Sequence, residues 1–427
     1  MAERTLEDIY QKKTQHEHIL LRPDTYIGSI EKTEALLWIK PENGERFECK
    51  RIEYVPGLYK IFDEIIVNAA DNFQRDNSTN CIKVGIDRKR NIIDVWNNGQ
   101  GIPVEIHKEH KTYIPEMIFG ELLSGSNFND GEKKVTGGRN GYGAKLTNIY
   151  SKKFSVETAD TKTQRSFKMT WFDNMTRKSE PEIKPHTKSS FTHITFQPDL
   201  ERFGLQSIDD DTYALFCKRV YDLAGVIDER VKVYLNDERV NIKGFKGYVD
   251  MYLDSKKYKK GENEEGPEKF YHKQDRWELV LLVEEDQFQQ VSFVNAICTS
   301  KGGTHVNMIM DQLVEALITE VKKKDKKLDI KPGQIKSNFW IFLNCLIENP
   351  SFDSQTKEYL TKKVSSFGSK CDLPEKFIKQ IVKSGVIEAI ILDAQRKLND
   401  KMKKTLKGQK RSKILGIQKL EDANLAG

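Results

Sequence analysis

The sequence of 427 residues lacks the patterns that are typical of membrane and secreted proteins. No apolar run approaches the ~20 residues that a membrane-spanning helix requires. The N-terminal stretch MAERTLEDIYQKK contains no apolar core of a signal peptide. The six cysteines are scattered and form no C-x-x-C pair, which argues for reduced thiols in an intracellular protein.

A strong excess of one charge is also missing. The 70 Lys and Arg residues against 64 Asp and Glu residues give a net charge of +6, which alone is too little to indicate nucleic-acid binding. The distribution is more informative, because residues 322–327 (KKKDKK) form a dense basic run and the stretch 396–419 contains almost no acid. The length predicts two or three domains, and an aromatic content of 10% supports folded cores.

Two histidines, His107 and His110, could form a metal pair. No cysteine or third ligand is evident near them in the sequence, so the pattern favours a solvated helix end over a metal site.

Residues 137–150, GGRNGYGAKLTNIY, form the most informative glycine-rich segment. Four glycines within seven residues let the backbone approach another group closely, and the residues from Ala144 onward predict the start of a helix. Backbone N–H groups at a helix start favour an anion, so a phosphate is the first hypothesis. A flexible surface loop is the alternative. Neither the P-loop pattern nor G-x-G-x-x-G is present, because Leu146 stands where the latter needs its third glycine.

A helix predicted over residues 58–75 carries a polar stripe opposite its apolar one. Glu64, Asn68, Asp71 and Asn72 share one face of this helix. A carboxylate one turn from an asparagine could activate a water molecule beside a metal ion that the amide oxygen holds. The solvated face of an ordinary helix has the same pattern.

Residues 97–103, NNGQGIP, follow a predicted strand. The two glycines let the backbone bend around a flat ligand, and Asn97 at the strand end could recognise the ligand's edge. A tight turn is the alternative.

Hydrophobic periodicity predicts the remaining main elements. Strands are expected over residues 81–87, 91–96, 153–158, 166–172, 191–196, 231–235, 277–283, 290–297 and 339–347. Helices are expected over residues 114–123 and 212–224, after the KGGTH turn at 301–305, and over most of 373–398. The stretch 124–140 is expected to be a mobile loop.

Taken in order, the three motifs resemble the Bergerat ATP-binding fold of the GHKL superfamily, which includes gyrase-type topoisomerases, the heat-shock chaperone, histidine kinases and mismatch-repair ATPases. The motifs are Glu-x-x-x-Asn-x-x-Asp, x-x-Gly-x-Gly after a strand, and Gly-x-x-Gly-x-Gly before a helix.

Longer stretches narrow the resemblance to the ATPase region of the eukaryotic type II DNA topoisomerases. These stretches are LLRPDTYIGS, VPGLYKIFDEIIVNAADN, TGGRNGYGAKLTNIYS, NAICTSKGGTH and IENPSFDSQTKEYL. The resemblance runs from about Glu7 to the end of the chain. Asn97 replaces the aspartate of most superfamily members, but the eukaryotic topoisomerases share this asparagine.

The resemblance implies a two-domain α+β or α/β protein. A GHKL (Bergerat) α/β sandwich with an N-terminal dimerisation arm is expected over residues 1–242, a smaller α/β transducer domain over 243–400, and a basic connector over 401–427. The tail KLEDANLAG resembles the lead-in to the cleavage domain of the full enzyme, so the chain is expected to hydrolyse ATP but not to cleave DNA. The implied role is an ATP-driven entry gate for passing one DNA duplex through another, in the nucleus.

The resemblance also assigns roles in the nucleotide site. Glu64 is the implied general base, Asn68 the protein ligand of Mg²⁺, and Asn97 the partner of the adenine edge. Ser126 and Asn127 are expected to contact the ribose and the phosphates. The implied lid over the triphosphate consists of Arg139, Asn140, Gly141, Tyr142, Gly143 and Lys145. Gly138 and Ala144 are also expected to bind the nucleotide.

A loop from the second domain completes the implied site. In the family this loop, here Gln355, Thr356 and Lys357, crosses to the nucleotide, and its lysine contacts the γ-phosphate. Tyr10, in the N-terminal arm, is expected to cover the partner's nucleotide in a homodimer that ATP closes. A disordered terminus is the alternative.

The family places a basic run of the transducer on the inner wall of the dimer cavity. Here this run is Lys322, Lys323 and Lys324, which would contact double-stranded DNA without reading its sequence. A solvated helix end is the alternative.

Three other interpretations remain open. A mismatch-repair or chaperone ATPase would share the three motifs. A histidine kinase fits less well, because His16 and His18 are the only early histidines and no phosphoacceptor helix precedes the site. A DNA-binding clamp with vestigial hydrolysis belongs to a different functional class.

Overall fold

The structure is a computed structural model that describes residues 10–125, 131–138, 141–253, 268–284, 287–326 and 328–408. The strands are β1 (Thr33–Ile39), β2 (Glu48–Tyr54), β3 (Cys81–Asp87), β4 (Ile92–Asn98), β5 (Ser151–Asp160), β6 (Arg165–Phe172), β7 (Arg177–Lys178), β8 (Glu182–Pro185), β9 (Phe191–Pro198), β10 (Lys232–Leu235), β11 (Glu238–Arg239), β12 (Lys269–Gln274), β13 (Trp277–Val283), β14 (Gln289–Val294), β15 (Ile297–Cys298), β16 (Gly302–Gly303), β17 (Phe339–Cys345) and β18 (Tyr359–Leu360). The helices are α1 (Gln15–Leu21), α2 (Pro23–Tyr26), α3 (Pro56–Arg75), α4 (Ile114–Gly120), α5 (Gly143–Ile149), α6 (Asp210–Val226), α7 (Gly244–Asp250), α8 (Thr304–Lys324), α9 (Pro332–Lys336), α10 (Glu375–Lys383) and α11 (Val386–Gly408). Two short 3₁₀ helices cover Leu200–Phe203 and Val364–Ser366.

The N-terminal part of the chain is built on a nine-stranded sheet of order β11-β10-β3-β4-β9-β5-β6-β7, with β8 beside β6. Burial alternates along β3, β4 and β9, as expected when one sheet face packs on a core and the other meets solvent. The helices α3, α4, α5 and α6 cover the core face.

Helix α3 is the central element of this layer. Pro56 occupies its first turn, where the missing N–H costs no hydrogen bond. The apolar stripe that begins at Leu58 is buried in the core, and Phe62 stacks on Phe216 of α6. The helix predicted over residues 58–75 is therefore confirmed.

The C-terminal part is built on a five-stranded sheet of order β12-β13-β17-β14-β15. Strands β14 and β17 are parallel, and α8 lies in the crossover between them. Strand β13 is buried almost continuously because both faces of the sheet are covered. One face packs on α8, α10 and α11, and the other packs on α7 and the β1–β2 hairpin.

The β1–β2 hairpin is an element that hydrophobic periodicity does not predict. Trp38 of β1 stacks on Trp340 with ring centroids 5.6 Å apart, and Phe47, just before β2, contacts Tyr252 at 4.8 Å. The hairpin thus joins the core of the second sheet, about 300 residues further along the chain.

The predicted strands are present, with small shifts at their ends. The strand predicted over 290–297 is interrupted by Asn295 and Ala296, whose φ angles of 51° and 61° form a two-residue turn between β14 and β15. The helix predicted over 114–123 ends at Gly120. Helix α11 continues past the predicted boundary at residue 400, so that boundary does not coincide with the end of an element.

None of the described helices is long and apolar enough to cross a membrane. All six cysteines lie in the described residues, and none of them forms a disulfide.

Candidate active site

One cavity collects most of the residues that the sequence predicts for the nucleotide site. It lies between α3, the ends of β4 and β9, the start of α5, and a loop from the second sheet. The predicted residues that line it are Glu64, Asn68, Asn97, Gly138, Gly141, Tyr142, Gly143, Ala144, Lys145, Gln355 and Lys357.

Glu64 lies at the centre of this cavity and contacts two lysines from different parts of the fold. Its side chain is 2% exposed, and its Oε1 lies 2.7 Å from Lys60 Nζ and 3.1 Å from Lys357 Nζ. Burial alone would raise the pKa of Glu64, but the two ammonium groups outweigh burial and lower the pKa to about 2. Glu64 is therefore ionised at neutral pH.

Lys60 is held in its charged form by the same cluster. Burial would lower its pKa, but Glu64 and Asp63 outweigh burial and raise it. Asp63 is in turn bound by the buried Arg219, whose Nε donates to Asp63 Oδ1 at 2.6 Å. These charged side chains can be buried because each has a partner of opposite charge. Removing one of them would leave an uncompensated buried charge.

Gly143, the first residue of α5, allows the close approach of α5 to α3. A Cβ atom at this position would lie 2.2 Å from Glu64 Oε2. Every other amino acid would therefore displace the carboxylate, which explains a glycine at the start of this helix.

Asn68 lies one helical turn after Glu64 and lines the cavity. No hydrogen bond joins its side chain to another residue of the described ranges. An available amide oxygen beside a carboxylate suits Mg²⁺, which takes one or two protein oxygens and completes its shell with water and phosphate. The side chains present therefore fit the predicted metal.

Asn97 lies near the end of β4 and is buried at the wall of the cavity. Its Nδ2 donates to the carbonyl of Asn98 at 3.0 Å. Thr192 pairs with Asn97 across β4 and β9 and also lines the cavity, although the sequence does not single it out.

Lys145 lies inside the first turn of α5 and is buried at the cavity wall. Its ammonium donates to the carbonyl of Ser124. Burial lowers the pKa of Lys145 to about 8, although Glu121 acts in the opposite direction. This lysine is a titratable cation close to neutral pH.

The segment 131–138 departs from the expectation of a mobile loop, which is wrong for these residues. Backbone N–H groups of Gly137 and Gly138 donate to the two carboxylate oxygens of Asp71, at 2.6 and 2.8 Å. Asn295 and Asn349 of the second sheet region hold the same segment from the other side. Burial outweighs these hydrogen bonds and raises the pKa of Asp71.

The loop predicted to cross from the second domain does reach the cavity. Lys357 has a φ of 62° and a side chain that is almost fully buried against Glu64. Gln355 lines the cavity, whereas Thr356 is not among its lining residues. The Thr356 hydroxyl instead bonds to Ser354 Oγ at 2.8 Å.

Five further predicted residues are not placed in the cavity. Tyr10 is 78% exposed. Ser126, Asn127, Arg139 and Asn140 lie outside the described residues.

The basic run at the end of α8 is exposed, and two of its lysines already have partners. Lys323 pairs with Glu320 at 2.6 Å, and Lys324 pairs with Glu388. No ion pair joins Lys322 to another described residue.

The expectation for His107 and His110 needs correction in two respects. The segment is a turn between Ile106 and Tyr113, not a helix end. A third side chain is also close, because one ligand atom each of His107, Glu109 and His110 lie within 4.8 Å of one another. The Nδ1 atom of His107 accepts the backbone N–H groups of the other two residues at 3.3 and 3.4 Å, which occupies that nitrogen in the present arrangement.

Two buried cations, Lys60 and Arg219, belong to the charge cluster around Glu64, and sequence reasoning missed them. Lys60 stands among the buried residues of α3, and Arg219 stands among the buried residues of α6. A charged residue inside an apolar stripe is the signal that could have identified both, since unpaired charges are rarely buried.

Comparisons with known proteins add an independent line of evidence. The family model "Histidine kinase-, DNA gyrase B-, and HSP90-like ATPase" matches residues 54–201, and the family model "DNA gyrase B" matches residues 244–411. DNA topoisomerase 2 of Drosophila melanogaster is 52% identical over 99% of this chain and 29% of its own length. DNA topoisomerase 2-alpha of Homo sapiens is 52% identical over 99% of this chain and 27% of its own length.

Two solved structures are matched over their full length. The ATPase region of Saccharomyces cerevisiae topoisomerase II is 48% identical, with a TM-score of 0.85, and the match covers 91% of this chain and 100% of that one. The chain belongs to the eukaryotic topoisomerase II family. The ATPase and transducer domains of DNA topoisomerase II from Balamuthia mandrillaris give a TM-score of 0.87 at 45% identity, covering 93% of this chain and 100% of that one.

Membership in the topoisomerase II family confirms the predicted fold class, a GHKL α/β sandwich followed by a smaller α/β transducer. It also decides against the mismatch-repair, chaperone and histidine-kinase alternatives. The chain spans less than a third of the length of the curated topoisomerases 2 that it matches.

Proposed function

We propose that this chain is an ATPase region that binds ATP with Mg²⁺ and hydrolyses it to drive the closing and opening of a DNA entry gate. The observation that carries the proposal is the buried Glu64 carboxylate, which contacts Lys357 from a loop after the second sheet and lies beside Asn68 and Gly143 in one cavity. Phosphoryl transfer requires mainly positioning and charge stabilisation, and one carboxylate with several cations provides both.

Glu64 is the proposed general base for the attacking water. A carboxylate with a pKa of about 2 orients water well but accepts a proton weakly. When a terminal phosphate enters the cavity, the Lys357 ammonium can exchange the carboxylate for phosphate oxygens. The exchange removes one of the two cations that lower the pKa of Glu64, so the base strengthens only when that phosphate is present.

The other cavity residues bind and orient the nucleotide. Asn97 is the proposed partner of the adenine edge, and Lys145 supplies a cation near the phosphates. Mg²⁺ held at the Asn68 amide would neutralise phosphate charge. The backbone of Gly141 to Gly143 approaches the same cavity and is the proposed phosphate cradle, consistent with its glycine content.

Gate closure, DNA capture and a nuclear location are proposals that rest on family membership. We propose a homodimer that ATP closes, with Tyr10 reaching the partner's nucleotide and Lys322, Lys323 and Lys324 facing the captured duplex. The proposed division is an ATP-binding domain (1–242), a transducer (243–400) and a basic connector (401–427). The two large sheets, which share no strand, support the boundary between the first two. A DNA-binding clamp with vestigial hydrolysis remains the competing function.

ATP turnover with and without duplex DNA tests the proposal directly. Glu64→Gln is expected to retain nucleotide binding and to lose about 10²–10⁴ in turnover, the range typical for a lost general base. Glu201→Gln changes an exposed side chain that does not line the cavity; it is the control and should keep the parent rate. Turnover by Glu64→Gln at the parent rate would remove the base assignment. No turnover by the parent chain would favour the clamp.

A further inference from the structure

We infer that the turn Asn295–Ala296 of the transducer is a second docking point on the ATP-binding domain, with Asn295 as a positioning residue for the segment 132–138. The inference rests on the proposed function, because this segment leads into the glycine-rich lid. It adds a contact that does not involve Lys357 or the nucleotide.

Asn295 is almost fully buried, and both polar atoms of its side chain form hydrogen bonds. Its Nδ2 donates to the carbonyl of Thr136 at 3.2 Å and to the carbonyl of Ile347 at 2.9 Å, while its Oδ1 accepts the N–H of Ile347 at 2.8 Å. One asparagine therefore fixes Thr136 of the segment 132–138 to the end of strand β17 of the transducer. Its φ of 51° suits asparagine, which tolerates the left-handed region.

The next two residues of the turn region contact the same part of the ATP-binding domain. The carbonyl of Ala296 accepts Arg219 Nη2 at 2.7 Å, and Arg219 also binds Asp63, the neighbour of Glu64. A Cβ atom on Gly137 would lie 2.9 Å from the Ile297 side chain and 2.7 Å from Val67 of α3. Gly137 is thus enclosed between the two domains with no room for a methyl group.

Asn349 provides an additional hold on the segment. Its N–H donates to the carbonyl of Lys134 at 2.8 Å, and its Nδ2 donates to the carbonyl of Glu132 at 3.0 Å. Asp71 binds the following glycines from the opposite side. The segment is therefore fixed at both domains, and a shift of the transducer relative to α3 must move or release it.

The structural consequence is a direct mechanical connection between the transducer and the segment 132–138 of the ATP-binding domain. Rotation of the transducer strains the Asn295–Thr136 contact even when Lys357 has no phosphate partner. Conversely, a segment 132–138 that is held on the ATP-binding domain favours the transducer orientation that keeps this contact, as reciprocity of coupling requires.

Trypsin cleavage at Lys134 measures release of the segment without nucleotide. The test variant is Asn295→Gly, because glycine keeps the left-handed backbone and removes the side chain. Loss of a buried hydrogen bond should speed cleavage after Lys134 by roughly 3- to 10-fold when cleavage follows the opening equilibrium. The variant should also raise KM for ATP severalfold with a smaller effect on kcat, because Glu64 and Lys357 remain.

Asn236→Gly is the matched control. Asn236 has a φ of 48° in the two-residue turn between β10 and β11, and its side chain also makes two hydrogen bonds, to Ile86 and Tyr213. This control should leave cleavage at Lys134 unchanged. Should Asn295→Gly fail to fold, Asn295→Asp serves as the test, since it keeps an oxygen that accepts the N–H of Ile347 but has no N–H group to donate to Thr136, and it carries the same expectation.

Faster cleavage after Lys134 in Asn295→Gly, with unchanged cleavage in the control Asn236→Gly, supports the docking point. Parent-like cleavage in that variant, or equal acceleration in Asn236→Gly, overturns it. Because the cleavage assay contains no nucleotide, a failure of the docking point is distinguishable from a failure of the ATPase assignment, which only the turnover assay reports.

Discussion

Lys357 and Glu64 lie 293 residues apart in the chain, yet their side chains form a buried ion pair with Nζ 3.1 Å from Oε1. One partner comes from the central helix of the ATP-binding domain, and the other from a loop beyond the transducer sheet. This contact therefore links the position of the transducer to the electrostatic state of Glu64, the proposed base.

Replacing Lys357 tests this link. Lys357→Ala should leave adenine recognition largely intact, because Asn97 is untouched, but it should lower ATP turnover by about 10²-fold or more through lost charge stabilisation. Fluorescent-nucleotide binding and steady-state turnover, measured on the same preparation, separate the two effects. Lys301→Ala removes an exposed lysine that pairs with nearby Glu358 and is the control. Parent-like turnover in Lys357→Ala would contradict a role at the phosphate.

The pH dependence of nucleotide affinity tests Lys145. Its pKa is lowered to about 8, so the folded chain loses this positive charge as the pH rises through 8. If the ammonium binds phosphate, binding above pH 8 must take up a proton, and the Kd for a non-hydrolysable analogue should rise by up to about tenfold per pH unit. Calorimetry in buffers of different ionisation enthalpy measures the proton uptake. A Kd that stays constant between pH 7 and 9.5 would contradict the prediction.

Neutralising the basic run tests DNA contact. Changing Lys322, Lys323 and Lys324 to Gln should reduce DNA stimulation of turnover while sparing the basal rate. Each lost phosphate contact should reduce the log–log salt slope of DNA binding by roughly 0.9. Lys323 and Lys324 already pair with acidic side chains. We therefore expect the salt slope of DNA binding to change by less than the loss of three phosphate contacts would produce.

The control for this experiment uses lysines on the ATP-binding sheet. Lys152, Lys153 and Lys168 are exposed on β5 and β6, so their change to Gln alters the net charge equally without touching α8. Identical salt slopes for the two triple variants would mean that the run is an ordinary solvated helix end.

Deleting the arm tests dimer closure. Thr14 caps α1 through a capping box with Glu17, and Gln15 donates to the Tyr142 hydroxyl at 2.7 Å, so removal of residues 1–13 spares these contacts. The deletion should weaken both analogue-induced dimerisation and turnover, since nucleotide and dimer contact are expected to stabilise each other. Sedimentation with ADP and with the analogue gives the comparison. A parent chain that stays monomeric in both would contradict the gate.

The sequence predicts the strands and helices that carry the site, because their periodicity is strong. It also predicts the cavity residues Glu64, Asn68 and Asn97 through motifs with fixed spacing. It does not predict Lys60 and Arg219 as parts of the site, since their partners are brought together by packing between separate helices. Nor does it predict that Asn295 restrains residues 132–138, because a glycine-rich, polar stretch has the composition of a free loop and its restraint is a long-range contact.

Because Trp38 packs on Trp340, the β1–β2 hairpin cannot complete its packing until residue 340 has been synthesised. Residue 340 leaves the ribosome 302 residues after residue 38, a delay of about 15 to 60 s at roughly 5–20 residues per second. For that time the hairpin aromatics of the first 54 residues have no partner in the second sheet. The apolar surface of this hairpin therefore stays uncovered until the second sheet has been synthesised, which makes it the part of the N-terminal region most exposed to aggregation during folding.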